Sequence, residues 1–133
     1  MSYWLGINCY AWHEAAAVLV RDGELIAAVE QERFTRKKYD ASFPAEAIDY
    51  CLDHAGIQAH DVRSIGCGFD LRRERARKAL HVLRYPEALR LVVGRQAIFR
   101  KMSGVQRDLR AHLGYRGTIR NLNHHLCHAA SAY

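Results

Sequence analysis

The tightest constraint on the fold of this chain is a dipeptide. Asp22-Gly23 stands between two apolar runs, Ala15 to Val20 and Glu24 to Val29, and Asp-Gly in that setting is a strong short-range signal for a β-hairpin. A chain that reverses there pairs the two runs as antiparallel strands. Ahead of them, Tyr3-Trp4-Leu5-Gly6-Ile7-Asn8-Cys9-Tyr10 reads as a buried strand of aromatic and branched residues. Ala11-Trp12-His13-Glu14 then forms the turn into the second strand. Three strands therefore open the chain.

A helical rhythm follows. Ser42-Phe43-Pro44 offers an N-cap oxygen and a first-turn proline. Ala47, Ile48, Cys51, Leu52 and Ala55 recur on one helical face, and Gly56 supplies a left-handed stop with Ile57 beyond it. Val62 to Asp70 reads as a strand emerging into a loop, and Gly117 to Leu122 as a further short strand. Between the third strand and the helix, Glu30 to Asp40 is a charged loop whose Arg33, Arg36, Lys37 and Lys38 suit phosphate groups.

From Leu71 to Arg110 the texture changes. Twelve Lys and Arg face only Glu74, Glu87 and Asp108, a formal charge of +9 (12 − 3), against +6 for the whole chain. Leu80, Leu83, Leu89, Val92, Val93, Ile98 and Phe99 predict two or three helices, broken near Pro86 and Gly104. A basic helical stretch is suited to polyanions, but no nucleic-acid reader motif accompanies it and few aromatics are present to stack bases. A solvated insertion spanning about 71–113, or a surface that docks the rest of a larger enzyme, is the expectation; nucleic acid is not expected as a partner.

Composition narrows the class. Half of the 133 residues are hydrophobic, enough for one working core. No apolar run approaches the ~20 residues of a membrane span, and no basic segment precedes an apolar one at the N-terminus. Neither a membrane partner nor a secretory signal is expected. Cys9, Cys51, Cys67 and Cys127 are scattered without a CxxC pair, as free thiols in a reducing cytoplasm would be.

The chemistry concentrates in Asn123-His124-His125-Leu126-Cys127-His128-Ala129-Ala130-Ser131-Ala132-Tyr133. His124 and His128 are four apart, so on a helix their imidazoles share one face, about 5–6 Å apart at Cβ. That spacing suits a shared divalent ion, provided other ligands complete the shell. His125 lies roughly 100° around the helix from His124 and faces a second partner. A short strand leading into this helix puts the histidines where ligands bind in open α/β sheets.

Several blocks in order carry a family resemblance: Leu5-Gly6-Ile7-Asn8, His13 to Gly23, Ala27 to Lys38, Asp40 to Pro44, and the terminal NHHLCHAASAY. The chain resembles the O-carbamoyltransferases of antibiotic and nodulation-factor biosynthesis. The resemblance implies an α/β fold: the first lobe of an actin/Hsp70/sugar-kinase-like (Kae1-like) domain, starting with a three-stranded antiparallel segment in a mixed sheet flanked by helices. It implies that residues 1–133 are only the N-terminal part of that domain, with a YrdC-like domain lying outside this chain. Such enzymes make carbamoyl adenylate from carbamoyl phosphate and ATP, then transfer the carbamoyl group to a hydroxyl of a small-molecule acceptor.

By resemblance, His13 is the catalytic base, matching the histidine of an HDSAAAL-like turn. Here Glu14 and Ala15 replace its Asp and Ser, and one extra residue separates Gly6 from His13. His124 and His128 match the metal pair, with Fe²⁺ first and Mn²⁺ second as the expected ion. His125, Arg36 and Lys38 are candidates for phosphate or nucleotide. Tyr39 stands where the family has a histidine, and Cys127 where it has a serine. The expected partner is the remainder of the enzyme, in cis or as a separate chain. Two rivals remain: another Kae1-like protein, of the tRNA threonylcarbamoyl-transfer kind, or a non-catalytic basic binding module that retains the motifs.

Overall fold

The computed structural model describes residues 1–10, 14–70, 75–94 and 96–132, with side chains omitted at 75–78, 91, 92 and 94. The hairpin forms as the dipeptide demands. Asp22 and Gly23 take φ values of 47° and 92°, both positive, which matches the twist of the flanking strands. Those strands are β2, Ala16–Arg21, and β3, Glu24–Glu30, paired with Arg21 opposite Glu24. The first strand, β1, spans Tyr3–Asn8 and lies antiparallel to β2, with Leu5 opposite Leu19 and Ile7 opposite Ala17.

After β3 the segment read as a charged loop contains one helical turn, α1, Glu32–Thr35. Helix α2, Ala45–Ala55, follows. It ends as read: Gly56 is left-handed at φ 64°, and Ile57 N–H reaches back to the Leu52 carbonyl at 3.1 Å. Its start differs. Pro44, not Ser42, is the N-cap, and it supplies no side-chain bond to the helix. The first turn is satisfied from a distance instead, because the Gln31 side-chain oxygen accepts the Ala47 N–H at 3.1 Å while its amide group donates to Glu46. Ser42 is held back by its N–H bond to Asp40 Oδ1 at 3.0 Å.

A 3₁₀ turn at Ala59–Asp61 leads into β4, Val62–Cys67, which lies parallel to β1 with Leu5 opposite Ile65 and Gly6 opposite Gly66. The basic region is helical: α3, Arg75–Arg84, a 3₁₀ turn at Pro86–Ala88, α4, Leu89–Gly94, and α5, Gln96–Leu113. The break near Pro86 is present. Gly104 breaks nothing, because it lies inside α5. A mid-helix glycine costs about 1 kcal/mol against alanine, and the buried Val105 and Leu109 beside it outweigh that. Strand β5, Thr118–Asn121, is parallel to β4, and α6, His124–Ala130, completes the described chain.

The five strands thus form one mixed sheet in the order β3-β2-β1-β4-β5. This is the α/β opening that the resemblance implied, three antiparallel strands continued by parallel ones. The core occupies one face. Alternate residues Leu5, Ile7, Ala17, Leu19, Ala27, Ile65 and Cys67 are buried there beneath Ile48, Cys51 and Leu52 of α2 and Val105 and Leu109 of α5. His112 and Asp49 join the two helices at 2.8 Å. On the other face Gly6, Asn8, Ala16, Val18, Ala28 and Gly66 floor a cleft of about 670 Å³. No described helix is long and apolar enough to cross a membrane.

Two predictions follow from the segment between β3 and α2. Gln31→Ala leaves the Ala47 N–H without its acceptor and should destabilise the chain by about 1–3 kcal/mol, read from the urea midpoint. Asp40 is buried, and the Ser42 backbone N–H, followed by the Ser42 hydroxyl, holds its carboxyl below the ordinary value of 3.8. A folded pKa below the unfolded one means stability that is complete above that ordinary value and is lost as pH falls through the folded value. Midpoints measured from pH 6 down to pH 2 should therefore drop less steeply in Asp40→Asn than in the parent.

Candidate functional site

Parallel pairing of β1, β4 and β5 brings their carboxyl ends, Asn8, Cys67 and Asn121, to one edge of the sheet. Three connections leave from there. After β1 the chain passes Tyr10 and returns at Glu14; after β4 it passes Gly68 to Asp70; after β5 it enters α6. Hydrogen bonds stitch these exits together. Gly68 N–H donates to the Ile7 carbonyl at 3.0 Å, Leu122 N–H to the Cys67 carbonyl at 2.8 Å, and the Asn8 side-chain amide to the Glu14 carbonyl at 3.1 Å. In open α/β sheets this edge is where ligands bind.

Helix α6 begins where its sequence requires. The Asn123 side-chain oxygen accepts the N–H groups of His125 at 2.9 Å and Leu126 at 3.2 Å, an N-cap that fixes His124 as the first helical residue. One turn on, His128 comes under the same face. The two rings meet edge to face with centroids 4.4 Å apart, and their Nε2 atoms are 3.0 Å apart. His124 Nδ1 lies 3.2 Å from the Gly68 carbonyl, so an N–H at Nδ1 donates there and leaves Nε2 as a lone pair.

That arrangement fits a metal ion in part. Two nitrogens each about 2.1 Å from one ion, at right angles, stand about 3 Å apart, and a liganding histidine commonly donates its other N–H to a carbonyl. Two imidazoles do not make a closed site. Among the described residues no group of three His, Cys, Asp or Glu side chains is placed to hold an ion.

The other candidates fall in different places. His13 lies outside the described residues, while Tyr10 and Glu14 on either side of its segment stand at the site edge. His125 is exposed, its ring 5.9 Å from that of His124 and apart from the Nε2 pair. Arg36 is exposed in a left-handed conformation (φ 54°) at the end of α1, and Lys38 sits 5.0 Å above the Tyr39 ring. Neither lines the cleft. Arg33 does, held at 3.1 Å by Glu30, as does the half-buried Cys127.

Sequence reasoning missed three contributors. Asn8 and Gly68 earn their roles from the strand order, and the Tyr10 hydroxyl bonds to Asp108 at 3.0 Å across 98 positions, which no local pattern announces.

A mixed sheet whose parallel strands end at a capped helix with paired imidazoles defines an α/β lobe. More narrowly, the chain belongs to the carbamoyltransferase N-terminus family, whose pattern it matches over residues 3–133. It is 56% identical over 62 residues to the uncharacterized protein sll1178 of Synechocystis, covering 47% of this chain and 10% of that one. It is 53% identical over 53 residues to the nodulation protein NolNO of Sinorhizobium fredii, covering 40% of this chain and 8% of that one. The matched stretch is thus about a tenth of each relative's length. YeaZ from Pseudomonas aeruginosa superposes on 53% of this chain and 30% of its own, with a TM-score of 0.39 and 18% identity, too slight a likeness to argue from.

The thiols divide by depth. Burial pushes Cys9 up to about 12 and Cys51 and Cys67 each up to about 11, so almost none of their thiolate exists at neutral pH. Alkylation of the native chain at pH 7.5, followed by peptide mass mapping, should label Cys127 first. The other three should react only on unfolding.

Proposed function

We propose that this chain is the first lobe of an O-carbamoyltransferase and works with the remainder of such an enzyme, in cis or as a separate chain. The observation that carries the reading is the family match over residues 3–133. The edge built by β1, β4 and α6 supports it, since it gathers the end of β1, Gly68 and a histidine pair at one end of the sheet.

In this reading carbamoyl phosphate and ATP are converted to carbamoyl adenylate in a YrdC-like domain outside this chain. At this lobe the acceptor's hydroxyl oxygen forms a bond to the carbamoyl carbon. The bond from that carbon to the adenylate phosphate oxygen breaks, and AMP leaves with the electron pair. The acceptor's proton passes to His13, because a hydroxyl attacking a carbonyl needs a base within hydrogen-bond reach. His124 and His128 would hold a divalent ion, Fe²⁺ first and Mn²⁺ second, with further ligands from the rest of the enzyme. When bound, such an ion supplies positive charge beside the phosphate. The Gly68 carbonyl orients His124 for that task by accepting a hydrogen bond from its Nδ1–H. Arg33, whose position lines the cleft, is better placed than Arg36 or Lys38 to face a phosphate there.

Two measurements on an enzyme carrying this lobe test the reading. His13→Asn should leave adenylate formation intact and lower acceptor carbamoylation by at least about 100-fold; equal loss of both half-reactions would refute the role of base. Elemental analysis should find metal depleted in His124→Ala and in His128→Ala but retained in His125→Ala. Retention in the first two would exclude the histidine pair as ligands.

A further inference from the structure

The segment between β1 and β2 is pinned at its ends by backbone bonds. Tyr10 N–H donates to the Ala41 carbonyl and Ala15 N–H to the Asp40 carbonyl, both at 2.7 Å. The chain leaves β1 through Tyr10. Tyr10 adopts φ 60°, a left-handed conformation that costs a non-glycine residue roughly 1–2 kcal/mol. Something must hold it there.

The holding group comes from the basic region. Tyr10 is half-buried, and its hydroxyl donates to Asp108 Oδ2 at 3.0 Å. The other carboxylate oxygen is engaged too, since Asp108 Oδ1 receives Nε and Nη2 of Arg107 at 3.2 and 3.1 Å. Both carboxylate oxygens of Asp108 are therefore engaged. It also rides on the best-anchored turn of α5, beside Val105 and Leu109, which are buried in the core. A charge-assisted hydrogen bond of this kind is stronger than a neutral one. Burial first, and then this bond, push the Tyr10 hydroxyl well above its ordinary ionisation range, so it remains a donor throughout the physiological range.

We infer that Tyr10 and Asp108 are positioning residues: their hydrogen bond makes α5 the strut that fixes the direction in which the chain leaves β1 at Tyr10, three positions before His13. Its catalytic consequence rests on the carbamoyl-transfer reading, while the positioning itself does not. The C-terminal half of α5 then belongs to the site's architecture, although by charge it reads as part of a solvated insertion.

The test compares Tyr10→Phe, Asp108→Ala and Asp108→Asn, the last of which keeps an acceptor oxygen. In the 133-residue chain, amide hydrogen exchange over residues 9–15 should accelerate about tenfold in Tyr10→Phe and in Asp108→Ala, with β4 unchanged. That factor corresponds to the ~1.4 kcal/mol expected of one such bond. The side-chain NMR signal of His13, assigned by its loss in His13→Asn, should shift alike in those two variants and return toward the parent in Asp108→Asn. Unchanged exchange together with an unmoved His13 signal would overturn the inference. So would faster exchange with an unmoved His13 signal, which would reduce the bond to simple stabilisation. In the full enzyme, kcat for transfer should fall about tenfold with KM for ATP unchanged, and Tyr10→Phe should add nothing in a His13→Asn background. An enzyme that transfers no carbamoyl group at all would sink the functional reading, while the exchange and NMR arms would still decide the positioning role.

Discussion

The parallel pairing of β4 with β1 is the constraint on which the rest depends. With Leu5 opposite Ile65 and Ile7 opposite Cys67, both strands turn the same residues toward α2 and α5 and end at the same edge. Parallel neighbours need a crossover, and the segment from Glu30 to Asp61, with α2 at its centre, provides it. If β4 ran the other way, Gly68 would leave from the opposite edge. His124 would then lose the carbonyl that orients its ring, and the Ile7–Gly68 hydrogen bond could not form. The site is thus a consequence of strand direction before it is a consequence of any side chain.

The crossover also does local work. Its beginning, Gln31, reaches forward to close the first turn of α2, and its middle, Asp40 and Ala41, reaches back to hold both ends of the turn after β1. A stretch so charged reads as a solvated loop or an anion-facing one. Its two buried polar residues, Gln31 and Asp40, act instead as joints between elements, and their burial is tolerable because each is hydrogen-bonded. Arg33, Arg36, Lys37 and Lys38 stay outside that arrangement and are exposed, Arg33 paired with Glu30 and Lys38 lying over the Tyr39 ring.

The two faces of the sheet have different characters. One carries the core. The other is floored by Gly6 and Gly66 on adjacent strands, where added Cβ atoms would come within 2.8 Å of Val18 Cγ1 and 3.0 Å of Leu122 Cδ1. Glycine there lets neighbouring side chains lie low across the sheet, which keeps the cleft beside the histidine helix open. The basic region is divided in the same way: the C-terminal half of α5 is packed into the core through Val105 and Leu109, whereas Leu80, Leu83 and Leu89 in α3 and α4 are exposed.

What the sequence determined by itself was everything governed by neighbours along the chain. Asp22-Gly23 dictated the hairpin because only that turn matches strand twist, Gly56 stopped α2, Asn123 started α6, and the four-residue spacing put His124 and His128 on one face. Its errors were local in another sense. Ser42 looked like the cap of α2 until Asp40 claimed it, and Gly104 looked like a break until the burial of Val105 and Leu109 just beyond it kept α5 whole. The tertiary structure alone decided which partners meet across distance: Gln31 with Ala47, Gly68 with His124, and Tyr10 with Asp108. The physical reason is that a short-range preference is encoded in adjacent residues, whereas a contact spanning 98 positions exists only after the hydrophobic face of the sheet has drawn α5 against it.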